Sequence, residues 1–222
     1  MKVLLFGANG QLGSDLQPAL AAAGHAVVPL RHTELDVTDP EGVENALGVH
    51  RPDAVINTAA YHKVDEVEQH PEKAFGVNAI APWQMARACK KIGAVLMFLS
   101  TDYVFGGDKD RRTPYTELDA PSPLNVYGVS KLAGEHLVRQ AWEKHYIVRS
   151  SGLYGVRGAS GKGGNFVELM LRLAHEGKPI KVVNDQRLTP TFTVDLARAL
   201  VLLLESGKYG LYHVTSEGDC AW

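Results

Sequence analysis

Three glycines, spaced three residues apart, follow the first apolar run of this chain. Gly7, Gly10 and Gly13 lie between residues 3–6, which predict a buried strand, and residues 11–23, which predict an amphipathic helix. Glycine lets such a turn approach a phosphate closely, and the helix N-terminus presents unpaired N–H groups to it. The spacing is not the commonest dinucleotide fingerprint, so a glycine-rich turn without a ligand is the alternative interpretation.

Short apolar strands alternate with helical patterns along the chain. This alternation predicts a doubly wound parallel α/β sheet, covered by helices on both faces, with ligands at the carboxyl ends of the strands. The predicted strands are residues 3–6, 26–30, 54–56, 95–99, 146–148, 180–183 and 211–214. The predicted helices are residues 11–23, 41–50, 72–91, 126–144, 166–176 and 194–205. Residues 152–164, rich in glycine and basic residues, predict an exposed loop near a ligand.

Net charge, the length of apolar stretches and the cysteine positions exclude several classes of function. The 222 residues carry a formal net charge of −2, so no basic bias indicates nucleic acid or an anionic membrane as a partner. No apolar stretch is long enough to span a bilayer, and the chain begins directly with a strand pattern. Cys89 and Cys220 lack metal-ligand spacing and fit a reducing cytoplasm. We expect a soluble cytoplasmic protein, and no ligand set predicts a metal ion.

A tyrosine and a lysine four residues apart form the second informative cluster. Tyr127 and Lys131 would lie on one face of a helix, where an ammonium can stabilise a phenolate. A surface pair is the alternative for this spacing. Ser100 and Thr101 follow a predicted central strand, where hydroxyls either bind a substrate carbonyl or cap a turn.

The order of these features resembles the extended short-chain dehydrogenase/reductases over nearly the whole chain. The set comprises the glycine turn, Asn-x-Ala-Ala at 57–60, the hydroxyls at 100–101 and Tyr-x-x-x-Lys at 127–131. Asn78 matches an asparagine that this superfamily places near the cofactor. Residues 100–105 (STDYVF), 122–128 (SPLNVYG), 131–135 (KLAGE) and 183–186 (VNDQ) are similar to the dTDP-4-dehydrorhamnose reductase family.

The resemblance implies reduction of the C4 ketone of a dTDP-linked 4-keto-6-deoxyhexose by NAD(P)H. It implies Tyr127 as the proton donor, Lys131 as the group that lowers its pKa and binds the nicotinamide ribose, and Thr101 as a hydrogen-bonding partner of the substrate oxygen or of the tyrosine. The implied cofactor-binding residues are Gly7, Asn9, Gly10, Gln11, Leu12, Gly13, Arg31, Asp36, Val37, Ala59, Ala60, Tyr61, Asn78, Ser100, Tyr127 and Lys131. The implied substrate-binding residues are Thr101, Asp102, Tyr103 and Asn165.

Arg31 favours NADP(H) over NAD(H) as the cofactor. It follows the second predicted strand, where an NAD-selective site usually offers a carboxylate to the ribose. A guanidinium instead suits a 2′-phosphate, and a solvated surface arginine is the alternative. Asp36 is expected at the adenine ring, as its counterpart is in the superfamily.

The chain departs from the resembled family in two places. Gly152 stands where these reductases often have a tryptophan against the sugar, so the exact sugar is not predicted. The family continues beyond residue 222, so we expect a truncated chain with residues 1–151 binding the cofactor and residues 152–222 forming an incomplete substrate lobe with segments that return to the first domain.

Two other functions stay open at this point. One is a non-catalytic NADP-binding regulatory subunit, like the beta subunit of methionine adenosyltransferase, and the other is a nucleotide-sugar epimerase. The resemblance also implies a homodimer.

Overall fold

A parallel six-stranded sheet forms the centre of the molecule in the computed structural model, which describes residues 1–157 and 164–221. The strand order is β2-β1-β3-β4-β5-β9, and every neighbouring pair runs parallel. The strands are β1 (Lys2–Phe6), β2 (Ala26–Leu30), β3 (Ala54–Asn57), β4 (Val95–Thr101), β5 (His145–Ser150) and β9 (Gly210–His213). The predicted doubly wound parallel fold is confirmed.

The described residues form eight α-helices. They are α1 (Gln11–Ala22), α2 (Pro40–His50), α3 (Val64–Gln69), α4 (Pro71–Phe75), α5 (Ala81–Ile92), α6 (Val126–Ala141), α7 (Phe166–His175) and α8 (Thr193–Glu205). Helices α1 and α8 cover one face of the sheet, and α2, α5 and α6 cover the other. A π-helical turn, Gly76–Ile80, joins α4 to α5, and a 3₁₀ turn, Asp102–Val104, follows β4.

Alternate residues of each central strand pack into two separate cores. In β1, Val3 and Leu5 face α1 and α8, whereas Leu4 and Phe6 face α2, α5 and α6. All four side chains are at most 1% exposed. Burial on both faces explains why the strands read as continuous apolar runs rather than alternating ones.

The chain reverses its winding direction between β1 and β3. From β1 it crosses to β2 at one edge, then returns to place β3 on the other side of β1. The carboxyl ends of strands at such a switch point diverge and leave a crevice. The glycine turn after β1 and the segment after β3 therefore line one crevice, and the end of β4 lies next to it.

Three predicted elements are wrong in detail. The helix predicted over residues 72–91 is interrupted by the π turn, and the one over 126–144 ends at Ala141. Residues 180–183 form no strand, because they pair with no neighbour and their three large apolar side chains are 41–51% exposed.

Short strands in the second half had no clear sequence signal. β6 (Leu153–Tyr154) pairs with β8 (Thr191–Phe192), and β7 (Arg187–Leu188) pairs with β10 (Cys220–Ala221). Two-residue strands carry too few residues for a periodic pattern. The loop predicted over 152–164 therefore contains β6, and its residues 158–163 lie outside the described part of the chain.

Across residues 1–157 and 164–221, no helix is both long and apolar enough to cross a lipid bilayer.

Candidate active site

The glycine turn is shaped by two close contacts, one with the Thr58 side chain and one with the backbone of Gly7. Gly7 has φ +75°, and a Cβ on it would lie 2.6 Å from Thr58 Oγ1. A Cβ on Gly13 would lie 2.2 Å from the Gly7 carbonyl oxygen, so α1 packs directly on the turn. The Gly10 N–H donates to the same oxygen at 2.9 Å, which closes the turn. Larger residues would push α1 away from β1.

The turn fits a dinucleotide phosphate group. Gly10 caps α1 without a side chain, so the first N–H groups of this 12-residue helix keep no side-chain partner. The Gln11 amide nitrogen is buried and lacks a hydrogen-bond partner, which marks a donor that a ligand can satisfy. Leu12 is buried beneath the turn, and Asn9 is exposed at its tip. The predicted residues of this segment therefore lie together at the end of β1.

The segment after β3 forms the second wall of the crevice. The Ala59 N–H donates to Asn57 Oδ1 at 3.0 Å. The small side chains of Ala59 and Ala60 leave space above this segment for a ligand. Asn78, which is fully buried in the π turn, accepts from the Tyr61 N–H and donates to the Tyr61 carbonyl and to Ser130 Oγ, all at 2.9–3.0 Å. In this structure Asn78 thus anchors the wall to α6.

The N-terminal end of α6 packs tightly against the turn after β4. Asn125 caps the helix by accepting from the Gly128 N–H at 2.8 Å. A Cβ on Gly128 would lie 2.1 Å from the Tyr103 carbonyl oxygen, so only glycine permits this approach. The approach brings Tyr127 to Thr101, and the Tyr103 and Tyr127 rings meet edge to face at 5.5 Å.

Burial raises the pKa of the Tyr127 phenol above its ordinary value. The nearby Asp102 and Tyr103 add to this rise, and a hydrogen bond with the Thr101 hydroxyl opposes it. The phenol is therefore protonated at neutral pH, which is the form that a proton donor needs.

Lys131 is held by the end of β4, and its predicted role of lowering the pKa of Tyr127 stays a prediction. Its ammonium nitrogen donates to the Leu99 carbonyl oxygen at 2.5 Å and lies 4.1 Å from the centre of the Phe98 ring. The side chain is only 1% exposed, and burial lowers the pKa of its amine to about 7, against the opposing charge of Glu135.

Asp102 lies beside the catalytic candidates, and its predicted contact with the sugar stays a prediction. Its carboxylate accepts from Ser151 Oγ at 2.6 Å and from Thr101 Oγ1 at 3.1 Å. Burial raises the pKa of this carboxyl. Asn165 is also buried, but its amide caps α7, accepting from the Glu168 N–H and donating to the Gly155 carbonyl. Its predicted contact with substrate stays a prediction.

The predicted cofactor-selecting residues lie at the end of β2. Arg31 is 64% exposed in its side chain and stands 4.0 Å from the Glu34 carboxylate, so its guanidinium is accessible. Asp36 accepts from the Thr38 N–H and hydroxyl, which lower the pKa of its carboxyl against the effect of burial. Val37 is buried behind it.

A buried ion pair lies beneath the site, and neither of its residues was among the predicted site residues. Glu135 and Arg149 are 4% exposed and form two hydrogen bonds, at 2.6 and 2.9 Å. Glu135 also accepts from Ser100 Oγ at 2.5 Å. The spacing of Glu135 four residues after Lys131 was a signal, but its pairing with β5 depends on strand register.

A family model described as the RmlD substrate binding domain matches residues 1–222. A dTDP-4-dehydrorhamnose reductase of Streptomyces griseus is 42% identical over 225 residues, covering 99% of this chain and 72% of that relative.

Two solved structures are similar throughout the chain. A dTDP-4-dehydrorhamnose reductase from Clostridium acetobutylicum superposes with a TM-score of 0.92 at 40% identity, over 100% of this chain and 76% of that one. The Bacillus anthracis enzyme in complex with NADP gives 0.91 at 41% identity, with the same coverage. This chain thus spans about three quarters of these relatives' length. The chain belongs to the RmlD substrate binding domain family.

Proposed function

We propose that this chain reduces the C4 ketone of dTDP-4-dehydro-L-rhamnose to dTDP-L-rhamnose with NADPH. The observation that carries the proposal is the protonated Tyr127 phenol beside the Thr101 hydroxyl, at the same end of the sheet as the glycine turn. The named relatives catalyse the same reduction or carry NADP in the same fold.

Tyr127 is the proton donor in this proposal. When bound in the crevice, NADPH supplies the hydride. As the ketone carbon accepts that hydride, the Tyr127 phenol gives its proton to the ketone oxygen, and the product is the alcohol. Thr101 hydrogen-bonds the phenol and orients it. Burial serves this step because it keeps the proton on Tyr127 until an alkoxide develops nearby.

The remaining predicted residues hold the two reactants. The uncapped N-terminus of α1 and Gln11 would bind the pyrophosphate, while Ala59, Ala60 and Tyr61 would lie along the dinucleotide. Lys131 would bind the nicotinamide ribose, and Asp102 would bind the sugar. We propose residues 1–151 as the cofactor domain and residues 152–222 as the substrate lobe, from which α8 and β9 return to the first domain.

Arg31 is proposed to select NADPH by pairing with its 2′-phosphate. A hydrogen bond to a charged group contributes about 1.5–3 kcal/mol, so affinity should favour NADPH by at least about tenfold. Dissociation constants of NADPH and NADH, measured for wild type and Arg31→Ala, test this. A preference that survives the substitution would assign selectivity elsewhere. Arg198→Ala is the control, since Arg198 is also an exposed arginine near a carboxylate but lies in α8.

The decisive assay follows NADPH oxidation at the nicotinamide absorbance band with dTDP-4-dehydro-L-rhamnose. Stoichiometric oxidation with formation of dTDP-L-rhamnose supports the reductase. NADPH binding without turnover would indicate a regulatory subunit, and sugar isomerisation without net oxidation would indicate an epimerase. Tyr127→Phe serves as the inactive control.

We also propose a cytoplasmic homodimer, on the family resemblance and on the two free cysteines. Sedimentation of the chain as a monomer at micromolar concentration would refute the dimer.

A further inference from the structure

One row of polar side chains crosses the sheet beneath the site. Ser100 on β4 is in register with Arg149 on β5, and Arg149 is in register with His213 on β9. Residues in register on adjacent parallel strands point to the same face, and this face is the one that α6 covers. The row lies at the carboxyl end of the sheet, directly behind Thr101.

Glu135 of α6 is the acceptor at the centre of this row. Its carboxylate accepts from Ser100 Oγ at 2.5 Å, from Arg149 Nε at 2.9 Å and from Arg149 Nη2 at 2.6 Å. It lies one helical turn after Lys131, and its charge favours the ammonium form of that lysine. A buried carboxylate with three donors is held in a single position.

Arg149 is itself held from three sides. Its guanidinium lies 5.0 Å from the centre of the Phe105 ring, and its Nη1 is 3.4 Å from His213 Nε2. The backbone N–H of His213 in turn donates to the Glu117 carboxylate at 2.8 Å. The charged groups that face Glu135 are therefore Lys131 on its own helix and Arg149 on β5. His213 contacts the guanidinium of Arg149.

We propose that Glu135, clamped by Arg149, is a positioning residue that orients the Ser100 hydroxyl and favours the ammonium form of Lys131. Burying an ion pair costs desolvation that a pair of apolar residues would avoid, so stability alone does not account for it. What the ion pair adds is a fixed negative charge on Glu135. This charge opposes the desolvation that lowers the pKa of the Lys131 amine. This inference rests on the proposed function, in which Lys131 binds NADPH.

The test compares wild type with Glu135→Gln, which keeps the shape and removes the charge. Lysine side-chain NMR shifts follow the titration of Lys131, identified by the loss of its signal in Lys131→Met. In Glu135→Gln the Lys131 midpoint should fall by about one pH unit or more, since a nearby opposite charge shifts a pKa by that amount. Fluorescence titration should show NADPH affinity at pH 7.5 weakened by about tenfold.

Glu44→Gln is the matched control. It removes the same charge from an exposed ion pair with Lys91 on the surface of α2, so both readouts should equal those of wild type. An unchanged Lys131 midpoint in Glu135→Gln would overturn the inference, as would an NADPH affinity equal to that of wild type.

A second variant covers the case in which Glu135→Gln does not fold, because it leaves Arg149 buried and unpaired. Glu135→Gln combined with Arg149→Met removes both charges, and the Lys131 midpoint should again lie below that of wild type. An unchanged midpoint would again refute the inference. A wild-type chain that binds NADPH without reducing the sugar refutes the proposed function instead, and the lysine titration still decides the role of Glu135.

Discussion

Replacing Tyr127 by phenylalanine separates catalysis from folding more sharply than any other substitution in this site. The change deletes one hydroxyl and leaves the ring that meets Tyr103 edge to face. The lost contact with Thr101 is a single hydrogen bond, worth about 0.5–1.5 kcal/mol of stability. The variant should therefore fold and bind NADPH like wild type.

The expected catalytic loss is much larger than the loss of stability. General acid catalysis contributes about 10²- to 10⁴-fold in rate. At about 1.4 kcal/mol for each factor of ten, this equals roughly 3–5 kcal/mol in the barrier.

Single-turnover rates with the enzyme in excess over substrate are the right measurement. They report the chemical step even where product release limits steady-state turnover. Tyr209→Phe is the control, because it removes a phenol hydroxyl from a ring that packs on Tyr146 next to β9. A loss of less than about tenfold in Tyr127→Phe would refute its role as the acid, since that falls below the range for general acid catalysis.

Three further predictions concern stability and reactivity. The pKa of the Lys131 amine is lowered to about 7 in the folded state, below its unfolded value of about 10.4, so the unfolded chain binds more protons between these limits. The unfolding free energy of wild type relative to Lys131→Met should therefore rise from pH 7 to about pH 10 in urea titrations, and a flat difference would contradict the burial of a charged lysine. A thiol reagent should label Cys220, which is exposed, while Cys89 stays unmodified until the chain unfolds, because it is buried and burial raises the pKa of its thiol to about 12; rapid labelling of both native thiols would refute this. Gly13→Ala should destabilise the fold by about 1–3 kcal/mol and weaken NADPH binding, whereas Gly48→Ala, in a helix with open space around it, should be neutral or stabilising; equal thermal midpoints would refute the close packing at Gly13.

The central sheet was predictable because its signal is local. Each inner strand is buried on both faces, so a run such as residues 95–99 appears in the sequence as an uninterrupted apolar segment. The same rule failed at residues 180–183, where apolar residues lie exposed and pair with no strand. Local apolarity cannot distinguish a segment that finds a strand edge from one that does not.

The site was predictable as a set of positions but not as a set of contacts. Tyr127 and Thr101 meet as the motif order indicated. The orientation of Lys131 toward the Leu99 carbonyl and the pairing of Glu135 with Arg149 both depend on how α6 docks on β4 and β5. Docking of this kind is set by tertiary packing, which spacing along one helix does not encode.

Glycines determine that docking at both ends of the site. Gly13 lets α1 contact the turn after β1, and Gly134 lets α6 contact the Asn78 carbonyl, where a Cβ would lie 2.2 Å from the oxygen. Asn78 then holds Tyr61 in the cofactor wall and Ser130 in the helix that carries Tyr127. The segment after β3 and the helix that carries Tyr127 are thus connected through one buried asparagine. In the proposed function, a shift of α6 away from Asn78 would displace both the Tyr127 phenol and the segment after β3, so cofactor binding and catalysis would depend on the same backbone contact.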